Sequence, residues 1–293
     1  MPQSQLFAET DETTAKSLMA VLDTAFEDDG FPVSAFEDPA NPNQWQIAVY
    51  CETDLADETS ARILELSAGL GLKIAVQRED ISDDTDWVAA TLRDLSAVRA
   101  GRYIVHGTHE KHVPVPHEIS VLIDAGLAFG TGHHGTTAGC LDMMTKVYKR
   151  RKYSKVLDLG TGSGVLAIAA AKTAPCAVLA TDIDPVATET AHFNTHRNGV
   201  HQSVECITAT GFNHRRFAEE GPFDLVIANI LAKPLMSMAH DLVNHTAQCG
   251  TVILSGLLPH QRRPLVATFR LQGLHLEHYH IRDNWLTLLF QKG

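Results

Sequence analysis

The stretch Val156-Leu157-Asp158-Leu159-Gly160-Thr161-Gly162-Ser163-Gly164-Val165-Leu166-Ala167-Ile168-Ala169 constrains this chain more than any other. Lys155 to Leu159 is a short apolar run bounded by turn signals, the pattern of a parallel strand buried on both faces. Three glycines at alternate positions, Gly160, Gly162 and Gly164, let the backbone turn sharply and let a ligand come close to it. Val165 to Ala171 then supplies small residues for a helix packed tightly on the sheet. The unpaired amides of that helix's first turn would face whatever sits over the turn.

The spacing discriminates between ligands. A dinucleotide fingerprint is GxGxxG, which would need glycine at position 165, where this chain has valine. The pattern here is GxGxG, preceded by Asp158 in the strand. A second acid follows in Val178-Leu179-Ala180-Thr181-Asp182-Ile183-Asp184-Pro185. This is a strand ending in a carboxylate, 22 residues after Gly160, placed to accept hydrogen bonds from ribose hydroxyls. Turn and acid together resemble the cofactor site of class I S-adenosylmethionine-dependent methyltransferases, and the spacing argues against nicotinamide dinucleotides.

At 293 residues, one or two domains are expected, and a 44% hydrophobic composition supplies a sizeable core. The N-terminus lacks the basic start and apolar run of a signal peptide. No apolar stretch approaches the ~20 residues of a membrane helix. The five cysteines are scattered and odd in number, which argues against a disulfide framework or a CxxC metal site. The expectation is a cytoplasmic protein with no membrane contact, and nothing requires more than a monomer. Charge is uneven: residues 1–100 carry 20 acids against 6 bases, and residues 101–293 carry 15 against 18. An acidic first part suits a basic partner, because complementary charge steers encounter. It disfavours direct gripping of nucleic acid, which needs clustered Lys and Arg.

Residues 1–80 follow a βαββαβ order. Strands are expected at Ser4–Glu9, Phe31–Glu37, Gln44–Glu52 and Lys73–Arg78, and helices at Glu12–Phe26 and Glu58–Ala68. That order fits a ferredoxin-like α+β sandwich. Residues 81–118 form a connecting segment with helical character around Trp87 to Leu95. Its loop holds His106, His109, His112 and His117 without a cysteine pair; surface histidines explain them better than zinc, and no metal is expected. Residues 119–293 alternate strands and helices, which implies a doubly wound, mainly parallel, Rossmann-like sheet. Ligands of such sheets sit at the carboxyl ends of the strands, where Gly160, Asp182 and Asn229 all fall.

Two further segments bear on chemistry. Asp124-Ala125-Gly126-Leu127-Ala128-Phe129-Gly130-Thr131-Gly132-His133-His134-Gly135-Thr136-Thr137 is a glycine-rich run leading into a helix from Thr137 to about Lys149. Thr136 or Thr137 can cap that helix, or the loop can close over a ligand with Phe129 against a flat ring. Asn229-Ile230-Leu231 follows the strand Phe223 to Ala228. Asn229 is either a turn asparagine or a hydrogen-bond acceptor for the cofactor or an incoming amine. As acceptor it would hold a nitrogen nucleophile without a charge that keeps it protonated.

In order, Leu127-Ala128-Phe129-Gly130-Thr131-Gly132, the Gly160 turn, Ile183-Asp184-Pro185 and Asn229-Ile230-Leu231-Ala232 resemble the motifs of the PrmA family, methyltransferases of bacterial large-subunit ribosomal protein eleven. The resemblance covers nearly the whole chain. It implies S-adenosyl-L-methionine as cofactor, contacted by Thr137, Gly160, Gly162, Asp182 and Asn229, and a first domain that recognises substrate. It also implies methyl transfer to lysine ε-amino and N-terminal α-amino groups of a basic ribosomal protein. Asn229 is the candidate catalytic residue; no side chain is assigned as general base. Two departures stand out. His133-His134-Gly135 replaces a Thr-His-Pro that the family commonly has, and Thr161 replaces a frequent Cys. Alternatives are a class I methyltransferase for another basic protein or a small molecule, and a non-catalytic assembly factor.

Overall fold

A computed structural model describes residues 3–26, 29, 31–38, 41–81, 97–108, 115, 117–123 and 134–293. The chain divides into two compact units, residues 1–87 and 88–293.

In the first unit, strands β1 (Gln3–Thr10), β2 (Val33–Asp38), β3 (Asn41–Glu52) and β4 (Gln77–Ile81) pair in the order β2-β3-β1-β4. Every pairing is antiparallel. Helices α1 (Glu12–Phe26) and α2 (Ala56–Gly69) touch each other and pack on this sheet. This is the ferredoxin-like arrangement. Its core follows from periodicity: Ala15, Leu18, Leu22 and Phe26 share one stripe of α1 and are buried with Ile47, Val49 and Cys51, alternate residues of β3. The last strand lies later than the expected Lys73–Arg78. Ile74 and Val76 pack against the core, but ladder hydrogen bonding to β1 starts only at Gln77, opposite Phe7. The turn cluster expected over 38–43 is shorter, since β3 already begins at Asn41.

The second unit opens with a small sheet of β5 (Val98–Ala100), β6 (Tyr103–His106) and β7 (Ile119–Leu122), in which β6 and β7 run parallel. The segment expected to connect the domains thus supplies strands from residue 98 onward. Its expected helix around Trp87 to Leu95 lies outside the described residues. The main sheet holds β8 (Lys155–Leu159), β9 (Ala177–Asp182), β10 (Val204–Thr208), β11 (Phe223–Asn229), β12 (Thr246–Leu257), β13 (Leu274–Arg282) and β14 (Trp285–Lys292). Their order is β10-β9-β8-β11-β12-β14-β13. The first five are parallel, and β14 lies antiparallel between β12 and β13. A dinucleotide-binding sheet runs 3-2-1-4-5-6; here the seventh strand is inserted between the fifth and sixth.

Helices cover both faces. On one lie α3 (His134–Tyr148) and α4 (Val165–Thr173), which touch each other. The other face carries α6 (Arg215–Glu220), α7 (Ala232–Ser237), α8 (Ala239–His245) and α9 (Arg262–Leu271), the helix α5 (Pro185–Arg197) having preceded these after β9. Between β11 and β12 the chain forms two short helices, α7 and α8, split at Met238. The apolar runs of the strands serve both faces: Val156, Leu225 and Ile253 enter one core, while Leu157, Val226, Val252 and Leu254 enter the other.

Candidate functional site

The glycine turn links β8 to α4. Gly160, Gly162 and Gly164 have φ of 74°, 54° and 87°, left-handed backbone that costs an L side chain roughly 1–2 kcal/mol. A Cβ at Gly160 would stand 2.2 Å from Ile230 Cγ2, so glycine also permits close approach there. The amides of Gly160 and Thr161 both donate to Thr181 O at 2.8 Å, tying the turn to β9. No side chain caps α4, whose N-cap is Gly164.

Asp182 ends β9 and reaches back to the turn. Its Oδ2 accepts from Gly162 N at 2.9 Å and its Oδ1 from Asp184 N at 3.1 Å. Each carboxylate oxygen has two lone pairs, so each can accept from one further donor. Asp184 then caps α5 by accepting from Val186 N, with Pro185 at the first helical position. Beside Asp182, Ile183 is 68% exposed, and beside Asn229, Leu231 is 51% exposed. Both apolar side chains lie where their strands end, available to a flat heterocycle.

Thr137 and Asn229 meet although 92 residues separate them: Asn229 Nδ2 donates to Thr137 Oγ1 at 3.4 Å. Thr136 and Thr137 lie within the first turn of α3 rather than at its cap, because the helix begins at His134. Thr136 is buried, and its carbonyl accepts from Ser255 Oγ at 3.1 Å. The α3 entrance is therefore fixed to β12, one strand beyond Asn229. Of the five residues expected to contact the cofactor, Gly162 and Asp182 are joined directly, Thr137 and Asn229 are joined directly, and Gly160 packs on Ile230, next to Asn229. The loop residues Asp124 to His133, Phe129 among them, lie outside the described residues, as do His109 and His112. Among the described residues no cluster of His, Cys, Asp or Glu is placed to hold a metal ion. His106 contacts Ser120 Oγ at 2.7 Å and Gly107 O at 3.0 Å instead.

Asp158 is fully buried beneath the turn. Its Oδ2 accepts from Thr161 Oγ1 at 2.7 Å and from Ala167 N at 3.0 Å, while Oδ1 has no partner. Burial pushes its pKa up to about 6; the two hydrogen bonds oppose that shift and Asp182 adds to it. The sign follows. From its ordinary 3.8 up to about 6, the folded chain binds more protons at this site than the unfolded one. Stability is therefore lost as pH rises through that window, by at most about 3 kcal/mol. Asp158→Asn, which cannot ionise, should gain in melting temperature on the wild type as pH rises from 4.5 to 7.5. A difference that stays flat across this range would show that Asp158 is already ionised at the lower end.

Residues that sequence reasoning passed over complete the turn's support. Asn194, on α5 and buried, donates from Nδ2 to Ser163 O at 2.9 Å. No local signal marked it, because an asparagine near a helix C-terminus reads as a surface residue until its burial is known.

The geometry so far fits an adenosine-containing ligand with a charged donor group: glycine backbone, a two-handed carboxylate, apolar flanks and an orphaned carboxylate oxygen. The model of ribosomal protein L11 methyltransferases (PrmA) matches residues 8–293. The chain belongs to the PrmA family. It is 45% identical over 294 residues to the ribosomal protein L11 methyltransferase of Sinorhizobium fredii, covering 100% of both chains. It is 44% identical over 288 residues to that of Mesorhizobium japonicum, covering 98% of this chain and 99% of the relative. The crystal structure of ribosomal protein L11 methylase from Lactobacillus delbrueckii subsp. bulgaricus is 28% identical with a TM-score of 0.61, covering 68% of this chain and 100% of that one. The α/β fold is shared with that L11 methylase, and the protein is an S-adenosylmethionine-dependent protein methyltransferase.

Proposed function

We propose that this PrmA-family enzyme methylates ribosomal protein L11, at lysine ε-amino and N-terminal α-amino groups, in the cytoplasm and as a monomer. The observation that carries the reading is the joint placement of Asp182 against Gly162 and of Asn229 against Thr137 on the carboxyl edge of one sheet. S-adenosylmethionine brings the methyl group already activated on a sulfonium. In this reading Gly160 and Gly162 admit it to the backbone, Asp182 holds its ribose hydroxyls, and Ile183 flanks its purine. Thr137 and Asn229 face its reacting end. Asp158 Oδ1, the buried acceptor without a partner, offers negative charge to the donor's amino or sulfonium group directly or through one water.

The chain's own task is positioning and desolvation. A lysine amine with an ordinary pKa of ~10.4 must become neutral before it attacks, and burial favours the neutral form. Asn229 Oδ1, which takes no partner among the described residues, can accept a hydrogen bond from that amine without adding charge. The first unit contributes substrate recognition: residues 1–87 hold 19 acids against 4 bases, which suits a basic protein. The same charge keeps phosphate backbones away, so direct nucleic-acid contact by this unit is not part of the reading.

Intact-mass measurement of purified L11 after incubation with the protein and S-adenosylmethionine tests it. Mass should rise in methyl steps, and fragmentation should place them on lysines and the N-terminus. Unchanged L11 in the presence of bound cofactor would redirect the search to other basic proteins.

A further inference from the structure

We infer that Asn198, with Asn194 one turn before it, is a positioning residue for the cofactor site, acting through backbone it holds rather than by touching ligand. The inference rests on the assignment of S-adenosylmethionine to the Gly160–Asp182 edge.

Helix α5 starts immediately after the ribose acid, so its position is set by the same corner of the molecule. Three contacts then run along it. Ala191 lies against the glycine turn, where a Cβ on Gly164 would come within 3.2 Å of Ala191 Cβ. Asn194 holds the carbonyl of Ser163. Asn198, just past the helix, holds β7: its Oδ1 accepts from Leu122 N at 2.9 Å and its Nδ2 donates to Leu122 O at 2.7 Å. One side-chain amide thus pairs with both backbone groups of a strand residue, as a neighbouring strand would. The same Nδ2 donates to Asn194 O at 2.9 Å, locking the two asparagines together.

A third group completes the fastening. Lys172, on α4, donates from Nζ to Asn198 Oδ1 and to Ser120 O, each at 2.7 Å. Burial lowers its pKa, yet both its acceptors are oxygens that favour the ammonium. The edge of β7 away from β6 therefore ends in the side chains of Asn198 and Lys172, and among the described residues no strand of the main sheet pairs there. β7 is the last described strand before α3, the helix whose first turn carries Thr137 to Asn229. Through α5, the glycine turn, the ribose acid and the strand leading toward Thr137 are registered against one another. A half-buried amide with four hydrogen bonds gains little net stability over water, but losing it leaves Leu122 N and O without their partner. What Asn198 contributes is the geometry it fixes at the site.

Calorimetric titration of S-adenosylmethionine into the full chain tests this, using Asn198→Ala, Asp182→Ala and, as a stability control, Phe269→Leu. Phe269, on α9, is buried in the other core against Phe290 and is none of the residues assigned to the site. Asn198→Ala should weaken cofactor affinity about tenfold, the size expected from one lost set of half-buried hydrogen bonds. Its kcat at saturating cofactor should stay within about twofold. Phe269→Leu, lowering the melting temperature comparably, should leave affinity unchanged. Asn198→Ala binding like wild type, or Phe269→Leu weakening binding as much as Asn198→Ala, would overturn the positioning role. Asp182→Ala binding like wild type would instead show that the cofactor site itself is misplaced.

Discussion

Asp182→Ala should weaken S-adenosylmethionine binding by about two orders of magnitude or more. The wild-type carboxylate accepts from two backbone amides, those of Gly162 and Asp184, at 2.9 and 3.1 Å. Its free lone pairs are then aimed by those bonds toward the edge where the ribose is expected. Hydrogen bonds to a charged group are worth roughly 1.5–3 kcal/mol each. Two ribose hydroxyls together therefore amount to about 3 kcal/mol or more, a factor beyond one hundred. Alanine also frees Gly162 N, so the turn loses one of the bonds that shape it. Asp182→Asn separates the two contributions. It keeps the shape, but its amide nitrogen must face either a backbone donor or a ribose hydroxyl, and an intermediate loss of about tenfold follows. Calorimetry measures both, with melting temperature as a check on folding. Affinity within about threefold of wild type for the alanine variant would mean that the ribose is held elsewhere.

The sequence made this residue findable because its signal is local. A strand that ends in a carboxylate a fixed distance after a glycine turn can be read without knowing what packs on it. The same holds for α1, whose observed limits, Glu12–Phe26, coincide with those read from periodicity. What the sequence concealed depends on long-range pairing. Val98–Ala100 carries too few residues to announce a strand, and it exists as one because Val105 and Tyr103 stand opposite. Lys73–Val76 alternates as well as any strand, yet pairing with β1 starts at Gln77 because the register is set by Phe7. β12 begins at Thr246, opposite Phe223, well before the apolar run that starts after Thr251 would announce it.

The site divides in the same way. Gly160, Gly162 and Asp182 lie within one β-turn-α-β unit and were legible. That Thr137 meets Asn229 was legible only through resemblance, since no local pattern predicts a contact across 92 residues. Asn194 and Asn198 were not legible at all. Asparagine near a helix C-terminus is ordinary on a surface, and only the burial of Asn194 and the paired bonds of Asn198 to Leu122 distinguish these two.

Asn229 is where the chemistry is most exposed to test. It ends β11, is held on one side by Thr137 Oγ1, and leaves Oδ1 for an incoming group. If the oxygen orients the attacking amine, Asn229→Ala should lower kcat by about one hundredfold, the scale for removing one oriented hydrogen-bond group from a reacting centre. Cofactor affinity should fall by no more than about tenfold, because the glycine turn and Asp182 remain. Asn229→Asp poses the sharper question. It preserves shape and the Oδ1 acceptor while exchanging the Nδ2 donor for a second oxygen, and it sets a negative charge beside the amine. An opposite charge within ~4–6 Å raises the pKa of an ammonium by about 1–3 units, so less of the substrate is neutral at a given pH. The pH profile of kcat/KM for methylation of the protein substrate should therefore move to higher pH by about one unit or more, with activity partly recovered at alkaline pH. Asn229→Ala should show a uniform loss with no such displacement. An aspartate variant as active as wild type over the same pH range would remove the reason for a neutral side chain here, and Asn229 would then be a cofactor contact with no role toward the nucleophile.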